Sequence, residues 1–212
     1  MLKQGARARS RFGGVTDQAA HEGTGVALAL SVALLLGVFA SLVTAPGVEG
    51  LYGAFLATLM LAIAANDARL YLIPNELTAA AFALALLRAG AYVPDIGVEA
   101  LLWPVARAAT VALPLLLLMA LYRRWRGRDG LGLGDVKLGA VCGAWLDLAT
   151  VIAVIELAAL AAIAAYLANA ALRRERLRGT AFLPFGLFLA PAIWVGWLGE
   201  TWYTNWLGGW PG

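Results

Sequence analysis

Gly130-Leu131-Gly132-Leu133-Gly134-Asp135-Val136-Lys137-Leu138-Gly139 is the stretch that decides how the chain is read. Three alternating glycines end in a carboxylate, and an apolar run starts straight after it. Arg123, Arg124, Arg126 and Arg128 precede the glycines, and another apolar run precedes the arginines. The 212 residues are 62% hydrophobic and only 14% charged, whereas soluble domains carry about 25% charged residues. In such a chain, a basic and glycine-rich break between two greasy runs marks a place where helices leave and re-enter a membrane. The fold class that follows is an all-α, polytopic membrane helix bundle. An outer-membrane barrel would show alternating segments of about 10 residues. The runs here are unbroken and rich in Ala and Leu, which excludes it.

Working outward, seven apolar runs stand at approximately 26–43, 50–66, 76–93, 99–122, 134–148, 150–172 and 182–200. Several approach the ~20 residues that a spanning helix needs, although the second and fifth are short. Only Asp147 and its neighbours part the fifth run from the sixth. About seven transmembrane helices are therefore expected, with six as the alternative count. With the N-terminal tail labelled inside and the connections alternated, segments 1–25, 67–75, 123–133 and 173–181 carry thirteen Lys and Arg. The opposite segments, 44–49, 94–98, 149 and 201–212, carry none. This positive-inside bias predicts an N-terminus inside and a C-terminus outside. Trp103 and Trp145 near outer helix ends, with Trp202, Trp206 and Trp210 in the last segment, are placed as an outer aromatic belt would be.

Residues 1–25 read as a polar cytoplasmic tail and 26–212 as one transmembrane domain. No small-residue cleavage site precedes the first run, so a retained span is expected. The net charge of +3 sits in short segments between runs, a topology signal rather than a nucleic-acid-binding face. No internal repeat points to a transporter of paired halves.

Elimination narrows the chemistry. The three serines are Ser10, Ser31 and Ser41, and the one histidine, His21, lies in the tail. A Ser-His-Asp triad or a Cys142-His21 pair would have to recruit that tail. One Cys and one His cannot assemble a zinc site, so no metal or other cofactor is expected. Carboxylates remain. Asp67 ends the second run and Asp135 starts the fifth, and the topology puts both at the inner membrane face. Two carboxylates brought together there cannot both ionise cheaply, so one holds a proton. An ionised Asp that activates water beside a protonated one that donates to a carbonyl is the state that peptide hydrolysis needs. The alternative is a non-enzymatic scaffold, or a small cation or proton transporter, using the same aspartates.

Resemblance separates these readings. Gly132-Leu133-Gly134-Asp135-Val136-Lys137-Leu138 resembles the GxGD motif of the type IV prepilin peptidases, including the lysine two residues on. Asp67, followed by Pro74-Asn75-Glu76-Leu77-Thr78, is similar to the family's other aspartate segment. Pro184-Phe185-Gly186-Leu187-Phe188 resembles the Pro-Phe-Gly segment before the last span. The resemblance implies that Asp67 and Asp135 are catalytic, with Gly132, Gly134, Lys137, Pro74, Asn75, Pro184, Phe185 and Gly186 supporting them. It further implies prepilin or pseudopilin leader peptides as substrates, cleavage at the cytoplasmic face, a place in the bacterial inner membrane, and contact with its lipids.

Two departures qualify it. The chain has no CxxC pair and no room for the cytosolic insert of longer members, which speaks against N-methyltransferase activity. Arg69 stands where many members carry a second acidic residue. Presenilin and signal peptide peptidase also have GxGD, but their other aspartate follows a tyrosine, and here Asn66 precedes Asp67.

Further expectations concern single residues. Gly139 and Gly143 form a small-residue face that would let the fifth helix pack closely, against the second helix in the simplest arrangement. Asn75 with Thr78 would cap the third helix. Arg107 and Glu156 are expected to pair at similar depth, and Arg88 and Asp147 to snorkel toward headgroups. Lys137 would either steady the aspartates or bind lipid phosphate, and Cys142 is a small packing residue. Asp129 and Glu175 would offset the basic inner segments near a basic leader. The oligomeric state is left open.

Overall fold

The structure is a computed structural model that describes residues 25–91, 98–127, 130–174 and 183–207. Among the described residues there are seven helices and no strand: α1 (Gly25–Thr44), α2 (Val48–Leu70), α3 (Asn75–Ala91), α4 (Val98–Arg126), α5 (Leu133–Trp145), α6 (Leu148–Arg173) and α7 (Gly186–Leu207). The all-α membrane bundle is thus the observed class. Four helices are long and apolar enough to cross a membrane: α1, α2, α4 over Leu101–Arg126, and α6. The tail with His21, together with Arg128, Asp129, Glu175, Arg176, Arg178 and Trp210, lies outside the described residues.

The break between α5 and α6 decides between six helices and seven. Leu146 and Asp147 both take extended backbone, with ψ of 157° and 152°, so the helical hydrogen bonds stop and restart there. At 13 residues, α5 rises about 20 Å, well short of a ~30 Å hydrocarbon core. It is the buried centre of the bundle, packed chiefly on α4 and also on α3 and α7. Its face from Leu138 to Trp145 joins one core with Leu56, Met60 and Ile63 of α2 and Leu189, Ile193 and Trp197 of α7.

Several helix ends fall beyond the apolar runs. α2 continues through Asn66 and Asp67 to Leu70, where Tyr71 closes it in the left-handed conformation (φ 52°) by donating to the Asp67 carbonyl. α4 carries Arg123, Arg124 and Arg126 in its last turn, not in a loop. Cations there face the negative end of the helix dipole. α7 runs on to Leu207, so Trp202 belongs to the helix, where it is exposed. Trp145 departs further from expectation. It is fully buried, and its Nε1 donates to the Ala81 carbonyl at 2.9 Å. A tryptophan inside a bundle must satisfy its N–H internally, and this one anchors α5 to α3 instead of joining a headgroup belt.

Charged side chains knit one end of the bundle. Arg88 Nη2 meets Glu49 Oε1 at 2.7 Å, its guanidinium stacks over the Trp145 ring, and Trp197 Nε1 donates to the same glutamate at 3.1 Å. Arg88 is therefore a packed ion-pair member, not a snorkelling one. Arg107 pairs with Asp147 at 2.6 Å, and the Asp147 N–H donates to Glu200 Oε1 at 2.8 Å. The expected Arg107–Glu156 pair does not form, because Glu156 points away from the bundle and is exposed. Its helix turns Val151, Val154, Ala158 and Ala162 inward, about 200° from Glu156 at 100° per residue.

Candidate active site

The opposite end of the bundle gathers the segments singled out from the sequence. Asp67 occupies the last turn of α2 and is only 5% exposed. Its Oδ2 accepts the Leu187 backbone N–H at 2.9 Å, and the Gly186 N–H also donates to this carboxylate. These are free donors of the first turn of α7, where no intrahelical partner exists. The Phe185 carbonyl already accepts from Phe188 and Leu189 and so starts the helix. A carboxylate 120 residues distant in sequence thereby caps α7.

Asp135 sits in the first turn of α5. The Gly132 carbonyl accepts the Asp135 N–H at 3.1 Å, and the Gly132 N–H bonds back to the Asp135 carboxylate. Asp67 and Asp135 lie close enough for the charge of one to act on the other. Between their supports stands Ile73, which is buried. A Cβ on Gly134 would lie 3.0 Å from Ile73 Cβ, and one on Gly186 would lie 2.8 Å from Ile73 Cδ1 and 2.9 Å from Asp67 Oδ2. The two glycines are required because the backbones of α5 and α7 close on the same isoleucine and, for Gly186, on the carboxylate itself.

Lys137 and Asn75 join the remaining motif residues. Lys137 Nζ donates to Asn75 Oδ1 at 2.6 Å, tying the second turn of α5 to the first residue of α3. The bond places Lys137 in the scaffold beside the aspartates. It also corrects the expected capping. The Asn75 side chain serves Lys137, and the Thr78 hydroxyl donates to the Pro74 and Asn75 carbonyls instead of accepting from a free N–H. The Thr78 N–H reaches the Pro74 carbonyl, so α3 starts from Pro74 without a side-chain cap. Pro184 and Phe185 lead directly into the donors that hold Asp67. Arg69 and Glu76 are exposed at this end of the bundle.

The small face of α5 does work as a close-packing surface, but against another helix. Cβ atoms on Gly139 and Gly143 would meet Leu115 Cδ1 and the Arg107 carbonyl at 2.7 Å each, both on α4. Cys142 on the same helix is fully buried and packs in the core.

The model of the type IV leader peptidase family matches residues 54–167. That span includes both aspartates and more than half of the chain. The chain belongs to the type IV leader peptidase family. Among curated relatives, proteins named prepilin leader peptidase/N-methyltransferase from Klebsiella pneumoniae and from Burkholderia pseudomallei strain 1026b are each 38% identical, over 51% and 64% of this chain. One of the same name from Aeromonas hydrophila is 29% identical over 81% of it. The matched regions cover 46%, 42% and 57% of those proteins, so the chain spans about half the length of the curated relatives it matches. No solved structure matches.

The structure brings the three sequence-predicted segments to one end of the bundle, and it adds what sequence reading did not identify. The Gly186 and Leu187 N–H groups touch Asp67, and Ile73 is the wedge that fixes the approach of α5 and α7. The signal for the first was present in Pro184-Phe185-Gly186, a helix start that lacks a Ser, Thr, Asp or Asn cap of its own. Such a start needs an acceptor from elsewhere.

Proposed function

We propose that this chain is a membrane-embedded aspartic endopeptidase that cleaves the leader peptide of prepilins or pseudopilins at the cytoplasmic membrane face. One observation carries the reading. Two carboxylates from distant parts of the chain stand at one end of the bundle, near enough for the charge of one to act on the other, and Asp67 is held there by the Leu187 backbone N–H. In hydrolysis, the ionised carboxylate takes a proton from water as its oxygen attacks the scissile carbonyl carbon. The protonated one gives its proton to the carbonyl oxygen, and a gem-diol forms. Return of the first proton to the leaving amide nitrogen breaks the C–N bond, and a diol hydroxyl restores the second carboxyl. One water is consumed and the pair is reset.

The basic turns at the ends of α4 and α6 favour the same orientation as the charge count, with this end of the bundle inside. Together with the family, this supports a multi-pass protein of the bacterial inner membrane that acts on its cytoplasmic side. The reading covers peptide cleavage alone, since the sequence holds a single cysteine and no CxxC pair.

The test is cleavage of a candidate prepilin by wild-type membranes and by Asp67→Asn and Asp135→Asn membranes with equal amounts of inserted protein. Both variants are expected to lose cleavage entirely. Substantial processing by either removes the dyad. Intact wild-type membranes that cut no prepilin, with assembly or ion flux disturbed in the variants, would favour a scaffold or transporter.

A further inference from the structure

Glu156 is a charged residue that the candidate active site does not use. It stands on α6, about 12 Å along the axis from Leu148, within a helix apolar and long enough to cross the membrane. Its side chain is exposed, and among the described residues it forms no ion pair and no side-chain hydrogen bond. A carboxyl facing acyl chains alone is costly, so a residue of this kind marks a polar partner. Its own chain offers none. α6 packs on α7, with slight contact to α5, through Val151, Val154, Ala158 and Ala162 on the opposite side of the helix. The partner of Glu156 therefore comes from another molecule in the membrane.

The residues around Glu156 define the shape of that partner. Ala149, Ala153, Glu156, Leu160, Ile163 and Leu167 are all exposed, and they recur at alternating steps of four and three. This is the a and d spacing of a coiled-coil seam, and it keeps one face toward one partner helix for about five turns. The alanines on the outer side of Glu156 let two backbones approach closely beside the carboxyl, while Leu160, Ile163 and Leu167 fill the inner part of the seam.

A fitting partner is thus a spanning helix with the same repeat and a hydrogen-bonding group at the depth of Glu156. A second copy of α6 supplies both by symmetry. Two copies inserted the same way are related by a twofold axis along the membrane normal. Their α6 helices then run parallel, and each seam residue meets its own twin at equal depth. Carboxyl faces carboxyl, and one donates a hydrogen bond to the other. A single polar position in an apolar seam also fixes register and the number of helices.

We propose that α6 is a homodimer face, on which two copies pair along the 149–167 seam with their Glu156 carboxyls hydrogen-bonded across the twofold axis. The inference does not rest on the peptidase reading.

Two measurements test it. In inner membranes, single cysteines on a Cys142→Ala background are oxidised with iodine. Leu160→Cys and Ile163→Cys are expected to give disulfide-linked dimers. Leu157→Cys and Ala161→Cys are not, although both positions are exposed, because they stand about 100° and 140° round the helix from Glu156. No dimer at any position, or equal yields at all four from random collision, overturns the proposal.

The second follows energy transfer between donor- and acceptor-labelled copies in phosphatidylethanolamine/phosphatidylglycerol vesicles, over a range of protein-to-lipid ratios. Glu156→Gln should keep the pair, since an amide both donates and accepts. Glu156→Leu should weaken it about tenfold. Glu156→Lys alone should not pair, but mixed with wild type it should pair again, because each lysine then meets a carboxylate. Glu156 touches nothing in its own chain, so these changes leave the fold intact. A Leu variant as tight as wild type, or a Lys variant that wild type does not rescue, counts against the proposal. Wild-type copies that show no transfer at any ratio would assign the face to a different spanning helix, one with a cation at that depth, and overturn it.

Discussion

Lys137, two residues beyond Asp135, spends its charge on another helix. Its Nζ is held by Asn75 Oδ1 at 2.6 Å, so the helix that carries Asp135 is pinned to the start of α3, just beyond the loop that follows Asp67. If that bond positions Asp135, Lys137→Met and Asn75→Leu should each lower cleavage by about tenfold, equivalent to ~1.4 kcal/mol in the barrier. The bond is exposed, which keeps the figure at the low end for a charged donor. The double variant should fall no further than either single one, because both changes break the same contact. Additive losses in this cycle would mean that the two side chains act separately, for instance with Lys137 on a lipid phosphate. Neither motif taken alone reveals the link. Lysine and asparagine are 62 residues apart, and spacing along a chain does not encode contact across a fold.

At the scale of helices, the sequence was legible where apolar runs and helices coincide and misleading where they part. All seven runs became helices, and the break at Asp147 is real. The run boundaries fell short at Asn66-Asp67, at the arginines after Tyr122 and at Trp202, since polar side chains end a hydrophobic stretch without ending a hydrogen-bonded helix. Pairing was the least legible feature. Depth in a membrane can be counted from the chain, but facing direction needs an amphipathic period, and helices that are apolar all round carry almost none. Hence depth alone pairs Arg107 with Glu156, while it turns to Asp147. For the same reason nothing in the sequence directs the small face of α5 to α4, where Gly143 lies against the Arg107 carbonyl. A backbone oxygen 2.7 Å from a Cβ cannot be moved aside like a flexible side chain. Gly143→Ala should therefore destabilise the bundle by about 2 kcal/mol through overpacking. Thermal unfolding in detergent reads this as a lowered midpoint, and an unchanged midpoint would show that α4 and α5 separate easily. The aspartates stand at the other end of α5, so protein that remains folded should keep most of its activity.

At the scale of the whole molecule, the bundle has two chemically distinct ends. One is closed by Glu49, Arg88, Arg107, Asp147 and Glu200, joined in ion pairs and hydrogen bonds around the buried Trp145. The other opens on the aspartates, the glycine turn and the basic helix ends. A peptidase for a leader on the inner side needs the second end to face the cytoplasm, and lysine and arginine retained on the inside would enforce it. Accessible cysteines can decide the matter. Cys142 is fully buried, so Cys142→Ala should give a folded background that does not react with a membrane-impermeant maleimide. Pro46, in the exposed connection between α1 and α2, lies at the ion-paired end, and Arg126, exposed in the last turn of α4, lies at the aspartate end. In intact spheroplasts, Pro46→Cys is expected to label at once and Arg126→Cys only after the membrane is permeabilised. The opposite pattern would put Asp67 and Asp135 on the outer face, where they could not meet a cytoplasmic leader. Labelling of both sites in intact cells would mean that the α4 end is not shielded by the bilayer, and the inside assignment of its arginines would fall with it.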